Sequence, residues 1–239
     1  MNTIKVDSGN TLMIAHRGLS GIELENTCSA FVAAGNRSYF GIETDVHVTA
    51  DGQYIIFHDD TTERVALDKM AIEETTYDTL RSLKLADRDG KRGRIDLVMP
   101  ALSEYILLCK KYEKKAVLEL KNKFTKEQNH EIARIIESLG YLDQTIFISF
   151  CLDNLVDIRA FYPDQTVQFL EEKYTDALID KVASLGMDLD IEYTELTEER
   201  IAYAHSKGVK VNCWTCDDPD FAANLIKWNI DFITSNILE

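Results

Sequence analysis

The chain has 239 residues, of which 45% are hydrophobic and 28% are charged. This composition supplies a sizeable core and a solvated surface, and it excludes intrinsic disorder for the bulk of the chain. No run of 18 apolar residues occurs, so the sequence predicts no membrane insertion. With 26 basic and 41 acidic residues the net charge is −15, and a field of that sign disfavours nucleic acid and anionic membrane surfaces as partners.

The cysteine content bears on the compartment and on redox chemistry. Five cysteines and no visible export signal indicate reduced thiols, so we expect a cytoplasmic protein. Cys213 and Cys216 form a Cys-x-x-Cys pair, which is compatible with a redox dithiol or half of a zinc site. A structural zinc site usually needs a second ligand pair, and the sequence offers none at suitable spacing. We therefore expect two small apolar residues near the end of a buried strand.

Short apolar runs alternate with helical patterns along most of the chain. Asp51-Gly52 indicates a hairpin turn. Ser103 is placed to cap one helix, and Thr125 with Gln128 forms a capping box at the start of another. The predicted strands, including the hairpin return, lie at residues 12–15, 41–47, 54–57, 116–120, 146–148, 166–170, 189–191, 209–214 and 232–234.

Eight principal strands with seven helices between them predict a parallel sheet covered by helices. The number of units favours one (β/α)8 TIM barrel domain over residues 1–239. A doubly wound open sheet is the alternative, but no Gly-x-Gly-x-x-Gly follows the first strand. Residues 61–100 interrupt the pattern as a small insertion after the second strand. Since little sequence follows Thr234, we expect the C-terminal helix to be truncated or replaced by the N-terminal segment.

Polar side chains gather at the ends of the first three strand units, where barrel enzymes carry their active-site residues. Alternation along the second strand puts Glu43, Asp45 and His47 on one face. In the absence of a site, polar residues should instead scatter over both faces and both ends. The residues at the three strand ends are His16 and Arg17, Glu43 and Asp45, His58 and Asp59 after the hairpin return, and Glu119 and Lys121.

The carboxylates of Glu43, Asp45 and Glu119 would face one cavity if the second and third strands are neighbours. Burying them unpaired is costly, and a divalent cation removes the repulsion. Oxygen ligands favour Mg²⁺ or Ca²⁺ over zinc. Arg17 and Lys121 add two cationic donors suited to a phosphate. Each residue also has an ordinary explanation, because acids on strands often face solvent and Lys121 could simply neutralise Glu119.

These motifs resemble those of the glycerophosphodiester phosphodiesterase family, and the likeness covers about residues 12–235. Leu24 stands where the family has a proline, which removes no functional group. The similar segments are His16-Arg17-Gly18 with Glu25-Asn26-Thr27, Glu43-Thr44-Asp45-Val46, Phe57-His58-Asp59, Pro100 to Glu104, Glu119-Leu120-Lys121, and Ala204-His205-Ser206-Lys207-Gly208 through Thr215.

The resemblance implies a TIM barrel, a divalent metal site and cleavage of small-molecule glycerophosphodiesters to glycerol 3-phosphate and an alcohol. It also implies a role for each matching residue. These roles are metal binding for Glu43, Asp45 and Glu119, acid/base catalysis for His16 and His58, phosphate binding for Arg17 and Lys121, support of the site for Glu25 and Asn26, and packing near the substrate for Trp214.

The chemistry favours attack by the glycerol 2-hydroxyl through a cyclic phosphate, which water then opens with the two histidine roles exchanged. Three alternatives stay open. A sphingomyelinase-D-like lyase would stop at the cyclic product. A sugar-phosphate isomerase or aldolase could use Lys121 as a Schiff-base lysine. A non-catalytic binding module would not need both His16 and His58. The sequence sets neither the head group, the preferred metal nor the oligomeric state.

Overall fold

The computed structural model describes residues 2–239. The strands are β1 (Leu12–Ala15), β2 (Gly41–Val48), β3 (Tyr54–Ile56), β4 (Lys115–Leu120), β5 (Thr145–Ser149), β6 (Val167–Glu171), β7 (Asp188–Glu192), β8 (Val211–Trp214) and β9 (Phe232–Ser235). The helices are α1 (Cys28–Gly35), α2 (Tyr77–Ser82), α3 (Leu102–Lys111), α4 (Lys126–Ser138), α5 (Leu152–Phe161), α6 (Asp176–Ser184), α7 (Glu198–Ser206) and α8 (Pro219–Lys227). None of these helices combines the length and the apolar character needed to cross a bilayer.

The strands build a nearly closed parallel barrel in the order β8-β7-β6-β5-β4-β2-β1-β9, and β3 pairs antiparallel with β2. The two ends of this order meet, because the Cys216 N–H donates to the Thr234 carbonyl over 3.1 Å. The Thr234 hydroxyl also donates to Asn212 Oδ1 over 3.2 Å. With the helices alternating outside, the predicted (β/α)8 TIM barrel is confirmed.

Alternation of side chains along the strands divides the apolar core into two layers. The outer faces, for example Ile42, Leu118 and Val211, pack against the helices. Towards the carboxyl ends of the strands, polar side chains replace the apolar ones in the interior, and the site lies there. The apolar interior layer consists of Ile14, Val117, Ile146, Ile148, Leu170 and Phe232.

Local signals set where the outer helices begin. The Thr125 hydroxyl accepts from the Gln128 N–H, and the Gln128 side chain accepts from the Thr125 N–H, so the predicted capping box is confirmed. The hydroxyls of Thr27, Thr175 and Thr197 cap α1, α6 and α7 in the same way. Each cap satisfies an N–H that the first turn of a helix leaves without a partner.

The prediction that Ser103 caps a helix is wrong. Helix α3 begins at Leu102, and Ala101 holds the cap position. Ala101 is held extended by a bridge to Ile55, so the chain turns into the helix directly after it. The Glu104 carboxylate accepts from the Ala101 N–H over 2.7 Å, which is the half of a capping box that the third helical residue supplies.

The segment of residues 61–100 packs on an apolar cluster of its own. It contains α2 and two single 3₁₀ turns, Thr62–Arg64 and Ile72–Glu74. Because three members of the cluster come from the barrel side, the segment is anchored beside the strand ends. The cluster consists of Leu24, Ile55, Phe57, Ala66, Ile72, Leu80, Leu85, Leu97 and Met99.

The extended N-terminal segment packs against the chain that follows β9. The Ile4 N–H donates to the Ile237 carbonyl, and the Glu239 N–H donates back to Ile4. The Glu239 carboxylate pairs with Lys5 at 2.6 Å and accepts from the Ser38 N–H and hydroxyl. Within residues 2–239 no helix follows β9, and this strand-like pairing occupies the position instead.

The cysteine pair lies in the apolar core, as expected for two small residues near the end of a buried strand. Cys213 and Cys216 are both fully buried among apolar side chains. Burial raises the pKa of the Cys216 thiol to about 11 and that of Cys213 well above its usual range. Thiols that stay protonated are poor nucleophiles and poor metal ligands.

Gly18 lies in the turn after β1, and Gly52 lies in the hairpin between β2 and β3. Comparing them separates the effect of packing from that of backbone strain. Gly18 and Gly52 share a left-handed backbone, with φ of +76° and +75°. A Cβ on Gly18 would lie 2.7 Å from the Ala30 Cβ, whereas a Cβ on Gly52 would meet nothing within 4 Å. We predict that Gly18→Ala lowers the free energy of unfolding by about 2–4 kcal/mol, and Gly52→Ala by about 1–2 kcal/mol from backbone strain alone. Urea denaturation measures the loss of unfolding free energy in each variant. Equal losses would contradict the expected clash with Ala30.

Candidate active site

A cavity opens at the carboxyl ends of the strands, where the sequence predicts the site. It brings together side chains from the ends of β1, β2 and β4, from the turn after β3, and from strands β5 to β9. The lining residues are His16, Arg17, Glu43, His58, Glu119, Lys121, Ile148, Phe150, Leu170, Asp190, Trp214 and Thr234.

Three predicted metal ligands form a compact acidic trio. Glu43, Asp45 and Glu119 each place a carboxylate oxygen within 4.8 Å of the others. Asp45 and Glu119 are direct register partners on β2 and β4, so these strands are neighbours as the prediction requires. The side chains are nearly inaccessible, since the three residues are only 3%, 1% and 7% exposed. Mutual repulsion therefore acts where water screens it least.

Burial and repulsion separate the pKa values of the three acids. Burial, together with the charge of Asp45, raises the pKa of Glu43 well above its usual range. The same two causes raise the pKa of Glu119 to about 8. Although burial opposes it, Lys121 and Arg17 hold the pKa of Asp45 below its usual range. The trio thus cannot keep three negative charges at neutral pH without further positive charge.

The donor atoms of the trio fit a hard divalent ion. Asp45 Oδ1 and Glu119 Oε1 are buried, and both depend on one cation, the Lys121 ammonium. Lys121 Nζ lies 3.5 Å from the first and 3.0 Å from the second, so one ammonium serves both. Buried carboxylate oxygens with free lone pairs and no nitrogen or sulfur donor suit Mg²⁺ or Ca²⁺. The acidic cluster can therefore hold a metal ion.

The turn after β1 and the turn before α1 orient two of the acids. Arg17 and Asn26 both have left-handed backbones, with φ of 53° and 52°. The Arg17 N–H donates to Glu43 Oε2 over 2.8 Å, and Asn26 Nδ2 donates to Asp45 Oδ2 over 2.7 Å. The Thr44 hydroxyl donates to Asn26 Oδ1 and thereby fixes the orientation of the side-chain amide. Asn26 thus contacts one of the predicted metal ligands.

A chain of ion pairs connects His58 to Arg17. His58 Nδ1 lies 2.6 Å from Asp59 Oδ1, and Arg64 binds both Asp59 and Glu25. Glu25 in turn accepts from Arg17 over 2.8 Å. Burial lowers the pKa of His58, although Asp45 and Asp59 oppose the shift. Glu25 therefore holds the guanidinium of Arg17 at the cavity while it anchors the residues behind His58.

The second imidazole is oriented by a different partner. His16 Nδ1 lies 2.8 Å from Asn236 Oδ1. Asn236 Nδ2 donates to Asp217 over 2.6 Å, so the amide oxygen must face His16 and the Ser20 hydroxyl. His16 Nδ1 therefore carries the hydrogen, and Nε2 is left towards Glu43, 4.0 Å from Oε2. Burial lowers the pKa of His16 to about 4, so its ring is neutral at pH 7.

His47 shares the strand face of Glu43 and Asp45 but does not line the cavity. Its ring is fully buried, with Nε2 3.3 Å from the His58 carbonyl and Nδ1 3.5 Å from Glu73. It connects β2 to the backbone of His58 and to the segment of residues 61–100. We infer a supporting role for this ring.

Several residues that complete the site received no role from the sequence. Arg64 lies in the irregular segment, where no periodicity marks it. Asp217 and Asn236 follow β8 and β9, and the strand-end rule applied to those two strands would have marked them. Asp190 alternates with apolar residues on β7, so period-2 alternation would have placed it inside the barrel.

The sequence profile of the Glycerophosphoryl diester phosphodiesterase family matches residues 16–238. The chain belongs to this family. It is therefore an enzyme of the phosphodiesterase class, as the motifs at the strand ends predict. A glycerophosphodiester phosphodiesterase of Caldanaerobacter subterraneus subsp. tengcongensis is 26% identical over 232 residues, which cover 95% of this chain and 94% of the relative.

Solved structures agree with this assignment. A phosphodiesterase of Oleispira antarctica, in complex with the product sn-glycerol-3-phosphate, is 26% identical with a TM-score of 0.80, and the match covers 97% of this chain and 95% of that one. A glycerophosphodiester phosphodiesterase of Parabacteroides distasonis is 28% identical with a TM-score of 0.78, covering 95% and 93%. Both matches run over nearly the whole barrel.

We predict that this phosphodiesterase binds Mg²⁺ or Ca²⁺ more tightly as the pH rises towards 8. Glu119, with a pKa of about 8, has to lose its proton to become a ligand. The apparent affinity should therefore rise by at least about tenfold from pH 6 to pH 7, since the raised pKa of Glu43 means that a second ligand also has to lose a proton. Isothermal titration calorimetry at three pH values measures the slope. The exposed Glu127→Gln variant should match the wild type, and a flat wild-type profile would contradict the prediction.

Proposed function

We propose that the chain hydrolyses glycerophosphodiesters to glycerol 3-phosphate and an alcohol, with a divalent ion, Mg²⁺ or Ca²⁺, as cofactor. One observation carries the proposal: two oriented imidazoles line one cavity with Glu43 and Glu119, and the buried Asp45 lies within 4.8 Å of both acids. Membership of the family supports it, as does the sn-glycerol-3-phosphate bound to the Oleispira antarctica relative.

The charge of the site is suited to a phosphodiester. We assign the metal to Glu43, Asp45 and Glu119, and the phosphate oxygens to Arg17 and Lys121. A bound ion supplies positive charge that polarises a phosphate oxygen and lowers the pKa of the neighbouring hydroxyl. Three carboxylates, two side-chain cations and one dication leave a single positive charge. A phosphodiester carries one negative charge, so substrate binding would bring the site to neutrality.

The two imidazoles are proposed to move the protons. Their Nδ1 atoms are fixed by Asn236 and Asp59, which leaves both Nε2 atoms of His16 and His58 for the reaction. One ring takes the proton of the glycerol 2-hydroxyl while the oxygen of that hydroxyl attacks phosphorus. The other ring protonates the departing alcohol as the P–O bond to it breaks. Water then opens the cyclic phosphate with the two roles exchanged, which gives glycerol 3-phosphate. Each proton transfer is worth about 10²–10⁴-fold in rate.

The remaining predicted residues are proposed to shape the site. Glu25 binds Arg17 and Arg64 together, and this arrangement suits a residue that orients the phosphate-binding guanidinium. Trp214 packs edge-on against Phe150 with ring centroids 5.6 Å apart, which forms an apolar wall for the substrate carbons.

One alternative loses support on electrostatic grounds. A Schiff-base aldolase needs a neutral lysine amine. Although burial opposes it, Asp45 and Glu119 raise the pKa of Lys121, which keeps the amine protonated. A lyase that releases a cyclic phosphate uses the same groups as the proposed hydrolase, so product analysis has to separate those two.

We also propose one barrel domain over residues 1–239, with about 61–100 as an insertion that shapes the alcohol side of the pocket. Arg64 supports this idea, since it joins that segment to Glu25 beside the cavity. A cytoplasmic location is our further proposal, because the five cysteines are all unpaired thiols.

His16→Ala and His58→Ala should each lower kcat by at least about 10²-fold, because each removes one proton-transfer group. Neither residue is a proposed ligand, so Mg²⁺ binding measured by calorimetry should persist. A coupled assay for glycerol 3-phosphate measures turnover. His130→Ala is the matched control, since His130 stacks on Phe161 away from the cavity. Near-normal turnover by either site variant would reject the pair.

Glycerol 3-phosphate should be released from a panel of choline, ethanolamine, inositol and glycerol diesters. EDTA should abolish release, and added Mg²⁺ or Ca²⁺ should restore it, because the acidic trio repels the substrate without the ion. Phosphorus NMR follows the products. A cyclic phosphate that persists as the final product would show a lyase, and full activity in EDTA would contradict the metal requirement.

A further inference from the structure

Asp190 on β7 is a buried carboxyl without a partner. The residue is only 1% exposed, and it lines the cavity. Its Oδ1 atom receives no hydrogen bond, and among residues 2–239 no lysine, arginine or histidine forms an ion pair with it. Buried carboxyls are otherwise almost always paired. An unpaired carboxyl in the wall of a cavity is therefore a candidate to bind a ligand.

No hydrogen bond joins the Asp190 carboxyl to its register neighbours. In register, Asp190 lies between Leu170 on β6 and Asn212 on β8. Leu170 is apolar. The Asn212 amide donates to Gln168 over 3.1 Å and accepts from the Thr234 hydroxyl. Burial, with a smaller contribution from Glu119, raises the pKa of Asp190 well above its usual range.

The wall around Asp190 is otherwise apolar. Ile148, Leu170 and Phe150 line it, and Trp214 closes it. The buried Trp214 Nε1 also lacks a hydrogen-bond partner among the described residues. One unpaired acceptor and one unpaired donor in an apolar wall match a hydroxyl group, which donates one hydrogen bond and accepts another.

This wall lies across the barrel from the acidic trio. In the order of eight parallel strands, β7 is four places from β2, which carries Glu43 and Asp45. A substrate whose phosphate lies between the trio and the two imidazoles would extend its carbon chain towards β7. In a glycerophosphodiester the 2-hydroxyl has to stay near phosphorus, so the hydroxyl on the far carbon is the one that reaches this wall.

We propose that Asp190 binds the terminal hydroxyl of the glycerol moiety and thereby selects glycerol diesters over analogues that lack this hydroxyl. The inference rests on the proposed function. In either protonation state the carboxyl has an oxygen that accepts the hydroxyl hydrogen. An analogue without the hydroxyl leaves Asp190 unpaired in the complex, and such a mismatch discriminates strongly between substrates.

Two chromogenic diesters test the selection. The probes are 2,3-dihydroxypropyl 4-nitrophenyl phosphate and 2-hydroxypropyl 4-nitrophenyl phosphate. Both keep the hydroxyl that attacks phosphorus, and only the first has the terminal hydroxyl. Nitrophenolate release gives kcat/KM for each, and the wild type should prefer the first by about 10- to 100-fold.

Asp190→Leu and Asp190→Ala should each reduce this preference to below about threefold, mainly by slowing the dihydroxypropyl substrate. Asp188→Asn is the matched control on the same strand, since Asp188 accepts from the Lys210 N–H instead of lining the cavity. It should keep the wild-type preference. Thermal unfolding checks the fold, and the melting temperature of Asp190→Leu should not fall, because the variant removes an unpaired buried carboxyl.

The outcomes separate this inference from the function on which it rests. A wild type that turns over both probes equally, or a folded Asp190→Ala variant that keeps the full preference, overturns the role of Asp190. Failure of the wild type to release glycerol 3-phosphate from any glycerophosphodiester in the presence of Mg²⁺ or Ca²⁺ overturns the proposed function instead. Loss of preference in both Asp190 variants, with the control unchanged, supports the inference.

Discussion

The constraint on which the site depends is the burial of three carboxylates within 4.8 Å of one another. A cluster of this kind is unstable in an apolar barrel unless positive charge or hydrogen-bond donors surround it. The chain supplies the Arg17 N–H, the Asn26 amide and the Lys121 ammonium. These contacts compensate only part of the negative charge. The cluster therefore destabilises the folded barrel, and the remaining negative charge favours binding of a divalent cation.

The same constraint explains why the turns after β1 and before α1 are unusual. The left-handed backbones of Arg17 and Asn26 direct one main-chain N–H and one amide at the acids. Gly18 has to lack a side chain because the chain passes so close to α1. The strained backbone of these two turns directs the donors at the acids. The outer helices and the apolar interior layer keep the two turns in this conformation.

The sequence predicts the barrel and the acidic trio because both follow from regular spacing. Alternation on β2 fixes the shared face of Glu43 and Asp45, and parallel pairing brings Glu119 alongside. The strand-end rule would mark Asn236 and Asp217 but not their partners, because the turns that carry them meet only after the barrel closes. Ser103 fails as a cap for a similar reason, since a bridge formed by Ala101 with β3 sets the start of α3.

The segment of residues 61–100 is built on its own apolar cluster, yet Arg64 ties it to Glu25 and Asp59. Its surface can therefore change length and composition over evolution without repacking the barrel interior. Under the proposed function, selection for the leaving alcohol would act on that segment, while Arg64 and the contact of Glu73 with His47 hold it beside the reacting centre. In that proposal, head-group choice can diversify in one segment while the residues that act on phosphorus stay fixed on the barrel strands.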